Sequence, residues 1–515
     1  MTPSACWRTL ALCLVTACAL QSPFVWAQST PATQRLPHMG DGNNMSIAQE
    51  RRLGESIMRQ LVTDGDYLDD PVLIGYLQGV WQSLRVAARQ LGQLQPELDE
   101  AFSWDVLLVR DKSVNAFALP GGFMGVHLGL ISVVSNRDEL ASVMGHELSH
   151  VSQRHIARMQ EQQGRQTPWL VGAMIVGVLA ASRSPDAANA MIMGGTASVA
   201  QNQLNFSRDM EREADRLGFN VLTQAGFEPQ GMVGMFQKLA QASRLNDSGG
   251  YPYLRSHPLT TERMADMQSR IGPNLPPAAA ASLEHAMMGA RARALLATRV
   301  DDAQLLTQSL ARDWTPDLPP AKQAALLYAG VMAHAQLGQA DQARDAMARL
   351  LQLTASDPAA RQAAQWLAAD TERRLGVPSA CSSKLAPEVS ERAHELLLAQ
   401  CRLDMKQLES AQRTSERLQL WVGQYPRDPL AWDLLSQAHA QMGNRLQSLR
   451  ADAESRVARW DEQGAIDRLH AAQMLSKTMA KEGRLDRAGQ MEASIIDARL
   501  RAIEALRREL LRPQN

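Results

Sequence analysis

The chain has 515 residues, 45% hydrophobic and 21% charged, proportions that exclude both a disordered chain and a polytopic membrane protein and leave room for two to four domains. Lys plus Arg (53) nearly cancels Asp plus Glu (54), so the bulk positive field of a nucleic-acid-binding protein is absent. Aromatic residues are only 5% beside abundant Ala and Leu, which points to helices packed with small and aliphatic side chains.

At the N-terminus Arg8, the apolar stretch Leu10 to Leu20 and the small-residue site Val25-Trp26-Ala27 predict a cleavable secretory signal over residues 1–27. The apolar core is shorter than the ~20 residues of a membrane span, which weighs against an uncleaved anchor. Val15-Thr16-Ala17-Cys18 loosely resembles a lipobox, so acylation of Cys18 stays open as an alternative. Without this segment only Cys381 and Cys401 remain; an exported chain would join them in a disulfide, a cytosolic one would keep two buried thiols.

Residues 28–270 mix strand-like and helical patterns with many glycines and read as α+β. Phe102 to Val109 predicts a half-buried strand, and Asn115 to Gly122 turns into Phe123 to His127 as a strand pair at a sheet edge. The strongest local signal follows, His146-Glu147-Leu148-Ser149-His150. Histidines four apart on a helix lie about 40° from each other around the axis, so both can reach one zinc ion with Glu147 beside it as a base. Asn136 and Glu139 can form a capping box at the start of that helix, and Leu140, Val143, Met144, Leu148 and Val151 give it an apolar face.

A metzincin would place a third histidine at position 156, but that residue is Ile and His155 is out of phase. The better third ligand is Glu211, in the helical segment Glu211-Arg212-Glu213-Ala214-Asp215, which would leave one coordination position for water. Asp215, one turn later, is placed to accept a hydrogen bond from His146 and fix its tautomer. A solvated charged face is the alternative for both. Between the two segments, Trp169 to Ala181 is apolar but too short to span a bilayer. It would be a buried helix, a lid, or a surface touching membrane or an unfolded client.

The Pro- and Ala-rich run 271–281 breaks helix and strand and marks a domain boundary. Residues 282–515 are helical in pattern throughout. Gly338 with Ala343, Gly483 with Ala488, and Trp432-x2-Leu435-Ser436-x2-His439-x3-Gly443 after Pro426 resemble degenerate tetratricopeptide repeats, with a plain helical bundle as the alternative. A repeat array of this kind would hold another protein.

Together G-H-E-L-S-H-V-S-Q-R-H, E-R-E-A-D-R-L-G and S-H-P-L-T-T-E-R resemble the gluzincin metallopeptidases of the HtpX, Oma and CaaX-protease kind, and among them the periplasmic members with a helical repeat tail. The resemblance implies an α+β zincin domain of minigluzincin type over 28–270, followed by an all-α tetratricopeptide-repeat domain over 282–515. It implies one Zn2+ per chain held by His146, His150 and Glu211, with Glu147 as catalytic base and Asp215 in the active site. It further implies that His257 can take the fourth zinc position and hold the enzyme closed. Arg263 would orient a carboxylate or stabilise the oxyanion, and Asn115, Ala116, Phe117, Gly121 and Gly122 would form the edge onto which a substrate strand adds.

The implied activity is zinc-dependent endopeptidase action in the periplasm, with a chaperone-like role in outer-membrane β-barrel assembly and degradation of misassembled proteins. The implied partners are those substrates and, through the repeats, the β-barrel assembly machinery, with peripheral membrane contact and no nucleic acid. The alternative is a non-proteolytic scaffold whose zinc site is structural or blocked by His257.

Overall fold

The computed structural model of the chain describes residues 45–62, 66–162, 208–244, 251–271, 282–386 and 391–510. The expected signal segment 1–27 with Cys18, the apolar stretch Trp169 to Ala181 and nearly all of the 271–281 run lie outside the described residues. Among the described residues no helix is long and apolar enough to cross a membrane.

In chain order the first half runs α1 (Ile47–Leu61), β1 (Tyr67–Leu68), α2 (Pro71–Gln90), α3 (Pro96–Ala101), β2 (Val106–Val109), β3 (Ala116–Leu119), β4 (Phe123–His127), α4 (Leu128–Val133), α5 (Arg137–Ser152) and α6 (His155–Gln162). After the undescribed stretch come α7 (Arg208–Gln224), α8 (Gln230–Arg244), α9 (Tyr253–Ser256) and α10 (Thr261–Ile271). The four strands form one sheet in the order β1-β2-β4-β3, with β2 and β4 parallel and the outer pairs antiparallel. Strand β3 is therefore an edge, as the hairpin pattern predicts.

The strand expected from Phe102 begins only at Val106. Phe102 and Trp104 are buried as side chains, but Trp104 adopts φ +57° and its indole N–H donates to the Asp99 carbonyl, so the chain turns there before extending. Trp104 packs against Trp81 of α2 at 6.2 Å between ring centroids. Here the apolar run comes from a packed turn rather than from strand alternation.

Helix α5 starts where Asn136 Oδ1 accepts the Glu139 N–H at 2.8 Å. The reciprocal half of the expected capping box is displaced by one residue, because Glu139 Oε2 accepts from the Ser135 N–H and from Lys238 of α8. The five apolar residues of the expected face are buried, but so is every other residue from Glu139 to Ser152. A helix enclosed on all sides has α2, α7, α8 and β3 around it, and this puts its polar residues in the interior.

The second half is a series of helices: α11 (Leu283–Leu296), α12 (Val300–Asp313), α13 (Pro320–Gln336), α14 (Ala340–Leu353), α15 (Pro358–Arg374), α16 (Pro378–Ser383), α17 (Arg392–Asp404), α18 (Leu408–Gln424), α19 (Pro429–Gln441), α20 (Arg445–Ala458), α21 (Glu462–Lys481) and α22 (Arg487–Leu510). Turns between successive helices carry left-handed residues at Gly338, Gly376, Lys406, Gly443 and Gly483. Cys381 of α16 and Cys401 of α17 are paired, with Cα atoms 5.8 Å apart.

The hydrophobic core does not stop at the expected boundary. One cluster runs from Val72 of α2 through Met144 of α5 to Met287, Tyr328 and Leu367 of the helical half, and α11 packs on α4 and α2. Polar contacts cross the same line. Arg291 of α11 meets both oxygens of Asp70 at 2.8 and 2.7 Å, and Arg392 of α17 bridges Asp69 and Asp428. Trp460, in the turn after α20, sits edge-on to Phe123 of β4 at 6.0 Å and helps cover the α1 face of the sheet.

Candidate metal centre

Spacing along α5 places His146 and His150 on one side of the helix. Their Nε2 atoms are 2.9 Å apart and both side chains are buried. Helix α7 crosses α5 closely at a glycine. A Cβ on Gly218 would lie 3.0 Å from the His146 nitrogen and 3.1 Å from the Gly145 carbonyl carbon, closer than side-chain-bearing residues pack. Glu211 and Asp215, about two turns and one turn earlier on α7, are thereby carried against the histidines.

Glu211 Oε2 lies 3.5 Å from His146 Nε2 and Oε1 lies 3.5 Å from His150 Nε2. Directly after α9, His257 brings Nδ1 to 2.9 Å from Glu211 Oε1 and 3.3 Å from His146 Nε2. One donor atom from each of His146, His150, Glu211 and His257 falls within 4.8 Å of the others, and all four residues are buried. Glu211 and Asp215 are 2% and 1% exposed, which removes the solvated-face alternative.

Asp215 Oδ1 stands 2.9 Å from His146 Nδ1. Arg263 of α10 holds both Asp215 oxygens at 2.6 and 2.8 Å, while its Nη1 reaches Glu211 Oε2 and the Pro258 carbonyl, each at 2.8 Å. Every guanidinium nitrogen is thus committed inside the cluster. Burial alone would push the Asp215 carboxyl up, but Arg263 and His146 outweigh it and hold it low. Glu211 is likewise held well below the usual carboxylate range, with burial outweighed by His257 and His146.

Glu147 points between this cluster and the sheet. Its Oε2 accepts the Ala118 N–H of β3 at 3.1 Å and its Oε1 is 3.4 Å from His257 Nε2. Of the residues expected to form a substrate edge, Ala116 and Phe117 lie in the edge strand β3, and of these Ala116 directs its backbone groups outward. The His127 N–H donates to the Asn115 carbonyl, and because pairing alternates along an antiparallel ladder, Asn115, Phe117 and Leu119 face β4 while Ala116 and Ala118 direct their backbone groups outward. The Phe117 ring covers Gly125 on the neighbouring strand. Gly121 and Gly122 occupy the hairpin turn at φ +81° and +85°, against Arg51 and the Phe102–Trp104 turn.

Ala118 and Tyr253 carry no distinct sequence signal of their own, and Gly218 closes the E-R-E-A-D-R-L-G motif without that motif indicating its packing role. Tyr253 stacks on His257 at 4.6 Å between centroids. Its partner is set by the fold of α9 rather than by a motif.

The donors are imidazole nitrogens and a carboxylate oxygen with no thiol, a set that suits a divalent transition-metal ion. Burial opposes charge on His146, but Asp215 and Glu211 prevail and push its pKa up to about 10. A metal at Nε2 therefore competes with a proton that Asp215 and Glu211 favour on the ring. Metal affinity should rise about tenfold per pH unit between pH 6 and 8, with about one proton released per ion in calorimetry across buffers. A pH-independent affinity over this range would contradict the assignment.

Residues 82–271 match peptidase family M48. The chain is 31% identical over 434 residues to the beta-barrel assembly-enhancing protease of Yersinia pestis, covering 82% of this chain and 84% of that one. It is 30% identical over 424 residues to the protein of the same name from Escherichia coli K12, covering 81% and 83%. A shorter match, 35% over 164 residues and about a third of each chain, is to the mitochondrial metalloendopeptidase OMA1 of Arabidopsis thaliana. With most of both chains aligned and the buried histidines and carboxylate inside the matched region, the chain is a metalloprotease of peptidase family M48 and belongs there to the beta-barrel assembly-enhancing proteases.

Proposed function

We propose that this metalloprotease is a zinc endopeptidase of the periplasm that acts on unfolded or misassembled outer-membrane β-barrel proteins and assists productive ones in a chaperone-like way. The observation that carries this reading is the convergence of His146, His150 and Glu211, with Glu147 held between that group and the edge strand β3. The substrate class rests on the relatives' name. Residues 1–27 are then an export signal, 28–270 the protease region, 271–281 a linker and 282–515 a tetratricopeptide-like array that engages the β-barrel assembly machinery. Helix pairs with left-handed turn residues support that last assignment.

A zinc ion held by His146, His150 and Glu211 would supply Lewis acidity toward the scissile carbonyl and toward water. Glu147 takes a proton from the attacking water and returns it to the leaving amine. The Ala118 N–H aims its carboxylate. Asp215 accepts the His146 Nδ1–H and so leaves Nε2 as the ligand nitrogen. Arg263 acts as a positioning residue for Asp215 and Glu211, the two carboxylates its guanidinium meets. An extended substrate would add beside β3 through Ala116 and the Ala118 carbonyl.

His257 faces the ligand group with one ring nitrogen and Glu147 with the other, which supports reading it as an off-switch. His257→Ala should raise basal proteolysis or self-cleavage several-fold; a stable, less active variant would make His257 a substrate-binding residue instead. The test of the whole reading is metal removal. Purified protein should carry about one zinc, cleave an unfolded outer-membrane β-barrel protein, lose that activity on chelation and regain it with zinc. Cleavage that persists without metal would sink it. Zinc without cleavage is the result expected of a scaffold, which the relatives' protease identity does not favour.

A further inference from the structure

His155 begins α6 three residues after the end of α5, and its side chain is 0% exposed. It folds back under the second histidine of the metal centre: its Nδ1 is 2.8 Å from His150 Nδ1, with the rings near perpendicular at 4.9 Å between centroids. Its other nitrogen, Nε2, lies 3.2 Å from Glu213 Oε2 on α7, and the same oxygen accepts from Arg158 Nη1 at 2.9 Å. The fold-back depends on the preceding residue. Arg154 has φ +53°, a left-handed conformation that a residue with a side chain seldom adopts, and its guanidinium is tied to Glu50 of α1 at 2.8 Å and to the Met45 carbonyl.

Hydrogen-bond polarity permits one consistent pattern along this chain. A neutral imidazole that offers Nε2 to a metal carries its proton on Nδ1. His150 Nδ1–H must then donate to His155 Nδ1, which leaves the His155 proton on Nε2, where it faces a carboxylate that can only accept. Arg158 balances the charge of that carboxylate. The first ligand has a parallel arrangement in His146, Asp215 and Arg263. At the second ligand an imidazole is interposed between the ligand ring and the carboxylate.

We propose that His155, backed by Glu213 and Arg158, is a positioning residue that fixes the tautomer and ring plane of His150 and thereby sets how tightly the site holds its metal. This rests on the zinc-site reading above. It makes Glu213 a working part of the E-R-E-A-D segment alongside Glu211 and Asp215, reached from the opposite ligand.

The test uses the full chain and zinc alone, measuring zinc affinity and dissociation rate against a competing chelator. His155→Leu and Glu213→Ala should each weaken zinc binding by about 10- to 100-fold, the usual effect of removing an outer partner of a ligand histidine. His155→Asn should retain most of the affinity, because its amide oxygen can still accept from His150 Nδ1–H. The same order should appear in the visible spectrum of the cobalt-substituted protein as a perturbed ligand field in the first two variants only. Unchanged zinc affinity in His155→Leu and Glu213→Ala would overturn the proposal, and so would an equal loss in His155→Asn and His155→Leu, which would signal packing alone. If His155→Leu does not fold, Glu213→Ala decides the matter, since its side chain is 27% exposed and its removal leaves the core intact. Failure of the zinc-site reading itself is distinct: the unmodified protein would then bind no zinc.

Discussion

Exchanging Glu147 for Gln should lower cleavage of an unfolded protein by about two to four orders of magnitude, the range over which a positioned acid–base group contributes, while leaving the zinc content unchanged. The structure separates the two properties. Glu147 contributes no atom to the group formed by His146, His150, Glu211 and His257, yet its carboxylate lies between the Ala118 N–H and the His257 ring. Glutamine keeps the size and can still accept the Ala118 N–H, so the fold around β3 should be preserved. It cannot take a proton from water at neutral pH. Zinc analysis beside a cleavage assay checks both halves, and unchanged cleavage would show that some other group serves as the base.

Replacing Arg291 with Met should destabilise the protein by about 3–5 kcal/mol, the cost of leaving a buried partner charge uncompensated. Arg291 is buried on α11 and holds both oxygens of Asp70 and the Tyr328 hydroxyl. Burial disfavours its charge, but Asp70 and Tyr328 more than compensate and raise its pKa further above the ordinary value. Asp70 also caps α2 through the Leu73 N–H, so its displacement would loosen the helix that packs along α5. Denaturant unfolding followed by circular dichroism measures the loss. Pairing Arg291→Met with Asp70→Asn should recover a good part of it, because the uncompensated charge is then gone. A loss under about 1 kcal/mol for the single change would mean that the pair is as weakly coupled as one on the surface.

Both predictions bear on how far the catalytic half can be considered alone. The core cluster containing Met144 of α5 continues into α11 and α13, and α11 packs on α4 and on α2, which in turn lies against α5. Removal of residues after 281 would uncover α4 and part of α2, on which α11 packs. The core therefore continues past the boundary expected at the Pro/Ala run.

His146, His150, Glu211 and Asp215 were legible in the chain because their chemistry is periodic, whereas His257 was implied only by the family resemblance. Two histidines four apart with a glutamate between them, and two carboxylates four apart downstream, each describe one side of one helix. Neither pattern states that the two sides face each other. That follows from Gly218 against Gly145, a contact between segments far apart in sequence, and from Arg263, which joins Glu211 and Asp215 from a third helix.

Other features are silent in the chain for the same reason. His155 looks out of phase on a continuous α5, and it reaches His150 only because Arg154 turns the backbone into the left-handed region, held there by Glu50 a hundred residues earlier. Phe102 and Trp104 read as strand because burial alone makes a run apolar, whether the backbone extends or turns. The alternation that selects Ala116 and Ala118 over Asn115 and Phe117 as the outer edge depends on register with β4, which local pattern does not encode. Residue types and helical period thus specify the ligands, the base and the helical second half. Their convergence, the usable strand edge and the shared core are products of long-range packing, because each depends on which backbone approaches which.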